Sequence, residues 1–591
     1  MSIFLLTRVG RQQGRIEAYG RLASKAGFRS QQFPPSFDYS YTWYEIEHHS
    51  AFCSYLLPTG STLHVFGRLF YNDRCDDQAI RCLVQDIERH SINWHRLSGS
   101  FSAVLSTNTS FVLFTDPLGT CKIYHTIDMT TFSNAFLGAA YMAAEPTLSI
   151  PSCYEYAYAG SIYGTDTMVA EVRTLERATV ITVDHSSVRT SADRWQIPQR
   201  AWERNASLTE IADELSRRLV ATTRAFLEGA KQKVRLSFSG GYDSRLLLAV
   251  LRHVGCQPEL FTYGTADDAD ALVASTIAHR LRLDLEIVDK SRTHPFNIDN
   301  FYAQVERDFF AFDGFKSDNG IFSSGADYDD RIRRGSGDAL VLNGSLGEIY
   351  RNFFYLPDQP HGVQEIVSCF YSQYDPRSGG SKFDNREFRR RMADNIKAAI
   401  SSQDEMLDRV SVERIYPELR GRYWTGRDVQ LNHRFSTMWF PYLEPNVIAD
   451  TATVPIKMKS LGVLQGQMIA GLDMELARQP SVYGYDLCGP RPRLVSITGW
   501  LNENRPMLLR RHSYRVRYRK PERRPVWLQT GALSKIMDLS FPYTRGLFEH
   551  DRLYQNTLYN RVLSIEYLAQ KLNLDRPSPT DWQSYFRESP S

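Results

Sequence analysis

An extended segment, Val234-Arg235-Leu236-Ser237-Phe238, runs directly into Ser239-Gly240-Gly241-Tyr242-Asp243-Ser244, and helical spacing follows to Val254, before Gly255. A strand, a tight hydroxyl-bearing turn and a helix start commit this part of the chain to an α/β layer and make a site for a polyphosphate. Backbone N–H groups of the turn converge on the anion, and the positive end of the helix faces it. Ser237, Ser239, Gly240, Gly241 and Ser244 are therefore candidate nucleotide-binding residues, and Asp243 is placed to hold the Mg²⁺ that accompanies ATP. No Walker-type GxxxxGK[ST] is present. An ordinary Gly-Gly turn capped by Ser and Asp would use the same residues.

At 591 residues the chain exceeds one ordinary core, so two or more domains are expected. Hydrophobic residues at 42% and charged residues at 23% describe a soluble globular protein, and a net charge of +3 selects no partner class. No apolar run approaches the roughly 20 residues of a membrane span, and the start, Met1 to Leu6, reads as too short for a signal peptide. Eight cysteines are scattered without CxxC or His pairing, which predicts reduced thiols, a cytoplasmic protein and no zinc site.

The first two hundred residues read as short strands and turns. His64–Tyr71 is one strand candidate; Phe101–Leu105 and Phe111–Phe114 are two more, separated by the polar turn at 106–110. Asp116-Pro117-Leu118-Gly119 makes a turn into Ile123-Tyr124-His125, and Val169 to Val183 is again rich in β formers.

From Val234 strands and helices alternate. Glu259–Tyr263 is a second strand ending in Gly264, and residues 270–283 repeat apolar side chains at Ala271, Ala274, Ile277, Ala278 and Leu281. Leu285–Val288 and Ala339–Leu342 are the third and fourth strands. The alternation predicts a doubly wound parallel sheet, with ligands at the carboxyl ends of its strands. Gly344 follows the fourth strand at that edge. Just beyond it, Glu348 is a candidate metal ligand or general base, and Arg351 a candidate for neutralising pyrophosphate or a peptide carboxylate. A surface ion pair at i, i+3 is the alternative use of those two residues.

The Ser239–Ser244 loop resembles the pyrophosphatase loop (SGGxDS) of enzymes that cleave ATP to AMP and pyrophosphate, asparagine synthetases among them. The resemblance continues in Thr262-Tyr263-Gly264, which it implies would border the adenine, and in Phe440-Pro441-Tyr442-Leu443-Glu444-Pro445, similar to PFLDP. Upstream, Leu97-Ser98-Gly99-Ser100-Phe101 and Asp116-Pro117-Leu118-Gly119 are similar to motifs of that family's glutaminase domain. The implied architecture is an N-terminal degenerate glutaminase-like αββα sandwich of Ntn type over 1–204. A C-terminal ATP-pyrophosphatase domain with helical additions follows over 205–591.

Departures from the family pattern bear on activity. Position 2, the family's nucleophilic cysteine, is Ser2, and Phe66-Gly67-Arg68 stands where Asn-Gly-Glu would hold glutamine. Phe66 and Arg68 cannot supply the neutral donors and the acid that a glutamine amide needs, so the glutaminase reads as dead and the amine must come from elsewhere. The Asp of the family's GEGSDE falls on Gly347, its first Glu on Gly344. No lysine lies between Lys459 and Lys520, so the family's late lysine is missing; Lys457 is the candidate to replace it, with Lys459 beside it, and a solvated face is the alternative use of either.

The dead glutaminase, Arg245 after the loop, the Gly347-Glu348…Arg351 pattern and Pro480-Ser481-Val482-Tyr483-Gly484 together look like the lasso peptide cyclases of this superfamily. That resemblance implies ATP and Mg²⁺ as cofactors. The implied reaction adenylates an Asp or Glu side chain of a ribosomal precursor peptide, and the peptide's N-terminal amine attacks to close a macrolactam. A leader peptidase and a leader-binding protein are the implied partners, with no nucleic acid and no membrane. A large peptide chamber is expected, with Phe309, Phe310, Phe312, Phe315 and Phe322 as candidate lining; ordinary core packing is the alternative use of those rings. Two other readings use the same residues: a small-molecule amide or β-lactam synthetase, and an inactive peptide- or nucleotide-binding scaffold. Residues 505–524 carry nine Lys or Arg, which suits a solvated linker, a docking face for an acidic partner or a nucleic-acid surface.

Overall fold

The computed structural model describes residues 2–10, 13–33, 38–46, 52–89, 92–228, 232–293, 295–381 and 383–575. The chain is mixed α/β, with antiparallel sheets first and a parallel sheet after them. Residues 3–192 form two six-stranded antiparallel sheets. The first runs Val172–Thr174, Tyr124–Thr126, Thr131–Ser133, Ile3–Arg8, Tyr39–Ile46, Phe28–Gln32. The second runs Val188–Ala192, Thr179–Asp184, Ser110–Thr115, Leu97–Ser106, Thr62–Tyr71, Phe52–Leu56. Alternation along Ile3–Arg8 sorts the side chains by face. Phe4 and Leu6 join Tyr41, Trp43, Phe66 and Phe111 between the sheets, while Ile3 and Leu5 join the main core. Helices Gln13–Lys25 and Phe136–Met142 lie on the first sheet and Asp77–Glu88 on the second, so the layers run helix, sheet, sheet, helix.

The reading of short strands and turns captures Thr62–Tyr71 and the hairpin at 97–115 and misses six other strands, Ile3–Arg8, Phe28–Gln32, Tyr39–Ile46, Phe52–Leu56, Thr131–Ser133 and Val188–Ala192. It also misses Ile150–Ala159, a helix buried on almost every side, whose sequence carries no polar face for a period to show. Met1 lies outside the described residues. Ser2 is buried with its hydroxyl 3.4 Å from Glu45 Oε2. Phe66 is fully buried, its ring centroid 5.2 Å from those of Phe4 and Phe52, so aromatic packing fills the space between the sheets at that position.

The second half is built on a five-stranded parallel sheet in the order Leu285–Val288, Glu259–Tyr263, Val234–Ser237, Leu340–Leu342, Thr437–Trp439. The last strand is absent from the sequence reading because three residues carry no measurable period. The chain builds outward from Val234–Ser237 to one edge, then returns to build the other. The order therefore reverses between Val234–Ser237 and Leu340–Leu342, and a crevice opens at the carboxyl ends of those two strands. Further on, Val463–Leu472 ends at Asp473, which is extended and whose side chain accepts the Leu476 N–H at 2.9 Å to start a second short helix, Met474–Ala477.

Buried polar groups tie the halves together. The Asp313 carboxylate accepts the backbone N–H groups of Phe136 (2.8 Å) and Leu137 (2.9 Å) and pairs with Arg427 (3.0 Å) and Arg434 (3.1 Å). Arg427 also donates to Tyr124 Oη at 3.2 Å. Glu444, in the Phe440–Pro445 motif, accepts from Gly99 N (2.8 Å) and Trp439 Nε1 (2.7 Å); burial pushes its carboxyl up to about 7. Trp439 stacks on Phe226 at 3.8 Å, and the Arg68 guanidinium lies 4.2 Å over that ring from the first half.

The Phe309–Phe322 aromatics do not line a chamber. All five are buried in packing: Phe310 against Tyr19 and Phe28, Phe312 against Phe435, Phe315 against Phe136 and Tyr156, and Phe309 and Phe322 against Tyr567. The segment seals the seam between the halves, where large rings remove the most apolar surface from water. A cavity of about 560 Å³ lies elsewhere, against the Leu97–Ser106 and Thr179–Asp184 strands. No described helix is long and apolar enough to cross a membrane.

Arg427→Met leaves Asp313 and several carbonyls at this seam short of a buried donor. A loss of about 3 kcal/mol is expected, read as a lower urea midpoint at unchanged far-ultraviolet circular dichroism.

Candidate functional site

The Val234–Ser237 strand ends in a turn in which Gly240 takes a φ of +72°, and the helix that follows runs Tyr242–His253 with Gly241 as its N-cap. No side chain caps this helix, so its first N–H groups are left for another acceptor. Around the turn, Ser239 Oγ lies 3.4 Å from Ser244 Oγ and accepts the Gly241 N–H at 3.4 Å, while Ser244 Oγ accepts the Ser239 N–H at 3.3 Å. Arg245 is fully buried and pins the turn from behind, donating to the carbonyls of Gly240 (2.8 Å), Gln479 (2.9 Å) and Pro480 (2.6 Å). That contact joins the loop to the Pro480–Gly484 motif, and the Tyr483 ring lies 5.1 Å from that of Tyr242.

Asp243, one residue into the helix, is the centre of a charged cluster. Its Oδ2 accepts from Arg351 at 2.7 Å, and its Oδ1 accepts from Gln465 Nε2 at 2.9 Å. Arg351 also pairs with Glu348 at 3.4 Å, and Glu348 Oε2 accepts the Tyr416 hydroxyl at 2.6 Å. Two carboxylates thus share one guanidinium. Burial raises the Asp243 carboxyl to about 6, the Glu348 charge adds to the rise, and Arg351 opposes it. Burial lowers the Arg351 pKa less than its two carboxylate neighbours raise it, so it stays charged. The i, i+3 pair between Glu348 and Arg351, given above as the alternative use of those residues, exists, and it is half-buried with Asp243 as a third member.

Glycine at 347 is required by this arrangement. A Cβ there would stand 2.5 Å from Asp243 Oδ1, so an Asp at that position has no room beside Asp243. Gly344 lies against the backbone of Asp243 and Ser244 at the same helix start. Ser237 ends its strand beside Phe261, with Thr262, Tyr263 and Gly264 completing the neighbouring strand and its turn. Thr262 is buried, the Tyr263 hydroxyl donates to Asp330 at 2.7 Å, and Gly264 N donates to Val288 O at 3.2 Å.

Lys457 faces solvent. In the short helix Ile456–Lys459, residues three apart face the core, so Ile456 and Lys459 turn inward and Lys457 is left exposed. Lys457 makes no ion pair among the described residues, and nothing joins it to Asp243 or Glu348. Lys459 is engaged as well: its ammonium pairs with Glu413 and donates to Thr451 O at 3.3 Å in the core. Gln465, Tyr416 and Tyr442 belong to the cluster and were not singled out from sequence; the Tyr442 hydroxyl donates to Asp243 O at 2.8 Å. Tyr442 alone carried a signal, as part of the Phe440–Pro445 motif.

The residues present suit a Mg²⁺ held mainly by phosphate oxygens, which needs only one or two carboxylates. Asp243 and Glu348 supply two against a single cation. Arg351 Nε and Gln465 Oε1 are buried without a partner among the described residues, polar capacity that a ligand would use. No group of three or more His, Cys, Asp or Glu able to hold a metal occurs among the described residues.

No protein-family model matches the sequence, and no curated protein matches it. Solved structures that match include the allosteric regulatory enzyme of purine biosynthesis, at 8% identity over 49% of this chain and 80% of that one, with a TM-score of 0.21. Glutamine phosphoribosylpyrophosphate amidotransferase from B. subtilis matches at 9% identity over 49% of this chain and 65% of that one, with a TM-score of 0.20. At such scores the fold is read from the sheet topology itself.

Asp243 gives a titration signature. Its folded pKa of about 6 lies above the unfolded value of 3.8, so in that interval the folded state holds a proton that the unfolded state has lost. Wild-type stability falls as pH rises through this window, and Asp243→Asn lacks that component. Urea titrations at several pH values between 4 and 7 should show the variant gaining on wild type as pH rises; parallel curves would contradict the assignment.

Proposed function

We propose that the protein is an ATP-dependent, AMP-forming carbon–nitrogen ligase. Its narrower role in this reading is to close a macrolactam in a ribosomal precursor peptide, between an Asp or Glu side chain and the N-terminal amine. One observation carries the proposal: an uncapped helix N-terminus with a hydroxyl-lined turn lies at the reversal point of a parallel sheet and abuts two carboxylates sharing Arg351.

In this reading the Ser239–Ser244 turn and Gly344 hold the nucleotide phosphates, and Thr262, Tyr263 and Gly264 border the base. Asp243 and Glu348 would hold Mg²⁺. ATP supplies the leaving group that a free carboxylate lacks. Arg351 balances the negative charge gathered at the helix start. Gln465 and Tyr416 fix the carboxylates by hydrogen bonds, so neither reorients as charge moves. The remaining task is to hold the amine beside the carboxyl carbon and keep water away. Phe66, packed between the sheets, supports an amine that does not come from glutamine. In this reading the first half, residues 1–204, is a degenerate glutaminase-like scaffold and 205–591 the catalytic half.

The Arg351–Asp243 contact favours one further reading, a scaffold that binds nucleotide or peptide without turnover, because a guanidinium already occupies the carboxylate that would hold the metal. Incubation with Mg²⁺-ATP and a precursor peptide, or a small carboxy-amino acid, followed by pyrophosphate assay and mass spectrometry, separates the possibilities. A peptide product lighter by one water supports the cyclase, turnover with only the small acid points to a small-molecule synthetase, and nucleotide binding without pyrophosphate supports the scaffold.

For the ligase, Asp243→Asn is expected to lower pyrophosphate release by about 10²–10³-fold, and Glu348→Gln by a similar factor. Ser2→Ala should leave the rate unchanged, since no glutamine hydrolysis feeds the reaction.

A further inference from the structure

Residues 493–524 carry ten Arg or Lys against two Glu, in a chain whose net charge is only +3. They form two helices, Arg493–Glu503 and Met507–Arg517, joined at Pro506. The inner side of the second helix is anchored. Arg510 is buried, donating to the carbonyls of Phe354 (3.2 Å) and Tyr355 (2.6 Å), and the Tyr518 hydroxyl donates to Gln373 at 3.2 Å. The outer side is open and apolar. Leu494 is 77% exposed, Trp500 62% and Leu508 79%, with Ile497, Leu501, Leu509 and Val516 exposed beside them. Spacings of three and seven place Leu494, Ile497 and Leu501 on one face, and put Arg511 and Arg515 on the same side of the second helix as Leu508. Of the ten basic residues only Arg519 is in an ion pair among the described residues, with Asp375 at 3.1 Å. Burial and the neighbouring charges of Arg389 and Arg515 lower the Arg511 pKa, as expected of cations gathered without a counter-charge.

We infer that this helical pair is the docking surface for an acidic, leucine-bearing stretch of a polypeptide substrate, held there while its reactive carboxylate lies in the Asp243–Arg351 site. The charge sign selects the partner. A second copy of the chain would set the same arginines against each other, whereas an acidic amphipathic segment matches both the apolar face and the unpaired cations. Continuity with the site selects a polypeptide over a lipid surface. Gly499 packs on Leu461, whose carbonyl accepts from the Tyr242 hydroxyl at 3.2 Å and from Arg491 Nε at 3.2 Å. At the other end, Arg510 grips Phe354 and Tyr355, three and four residues beyond Arg351. The two helices are therefore anchored directly on elements that carry the site. The inference rests on the ligase reading only in taking the substrate to be a polypeptide.

The test uses the full-length protein and a fluorescein-labelled helical peptide with Leu on one face and Glu on the other, beside a twin with Lys for Glu, read by anisotropy. Saturable binding of the Glu peptide alone is expected. It should weaken roughly tenfold or more in Arg511→Glu/Arg515→Glu, and also in Leu501→Ser/Leu508→Ser, with ATP binding by calorimetry unchanged as a check on folding. Equal binding of both peptides, or no loss in either variant, overturns the inference. So does co-sedimentation with phosphatidylglycerol vesicles that follows the same variants while the peptide fails to bind, which would make the surface a membrane face. Failure of the wild-type protein to bind ATP would sink the ligase reading and leave the peptide result standing.

Discussion

The Arg351 guanidinium is shared by Asp243 and Glu348 at the positive end of a helix, and the geometry of the site follows from that sharing. Burial raises the Asp243 carboxyl, and the Glu348 charge beside it adds to the rise. Arg351 holds them together, and Gln465 and Tyr416 fix their outer oxygens. The arrangement stands where the strand order reverses, so the backbone turn, the helix start and the loop after Leu340–Leu342 converge from different elements on one crevice. Position 347 must then be glycine, because Asp243 fills the space that a side chain would take.

The first half supports this crevice from behind. Asp313 and Glu444 are buried acids that bind backbone N–H groups of the first half and donors of the second, and each would be costly to leave unpaired. The motifs Leu97–Phe101 and Asp116–Gly119 serve the same end. Gly99 meets Glu444, while Asp116 accepts from the backbone N–H of Thr120 and Cys121, both at 2.9 Å. The aromatic layer around Phe66 makes the two sheets a solid block. One core runs from Ile3 to Leu574, so the halves are a single packed body although their sheets are distinct.

How far the sequence could be read depended on whether each residue's partner was near in the chain. The Ser239–Ser244 turn was legible because strand, turn and helix start are consecutive, and the 3.6-residue period after it is unambiguous. The Glu348–Arg351 pair was visible as i, i+3 spacing. Gln465 lies over two hundred residues from Asp243 and sits in a helix with no polar stripe, so nothing local marks it. The run Phe309–Phe322 stayed open for another reason: aromatic residues have the same composition in a core as in a chamber wall, and only their neighbours decided for core packing.

Sequence alone determined the strand, turn and helix start at Ser239–Ser244, the alternation that makes the sheet parallel, and the large apolar and cationic side chains of Phe66 and Arg68 in the first half. These are properties of contiguous residues and of side-chain chemistry. Tertiary structure alone decided that Lys457 points outward, that Lys459 is spent on Glu413, and that Arg351 turns back onto Asp243. It also decided that Leu494, Trp500 and Leu508 stay in solvent. Which face of a helix is covered is set by what the rest of the chain brings against it, and no local pattern carries that information.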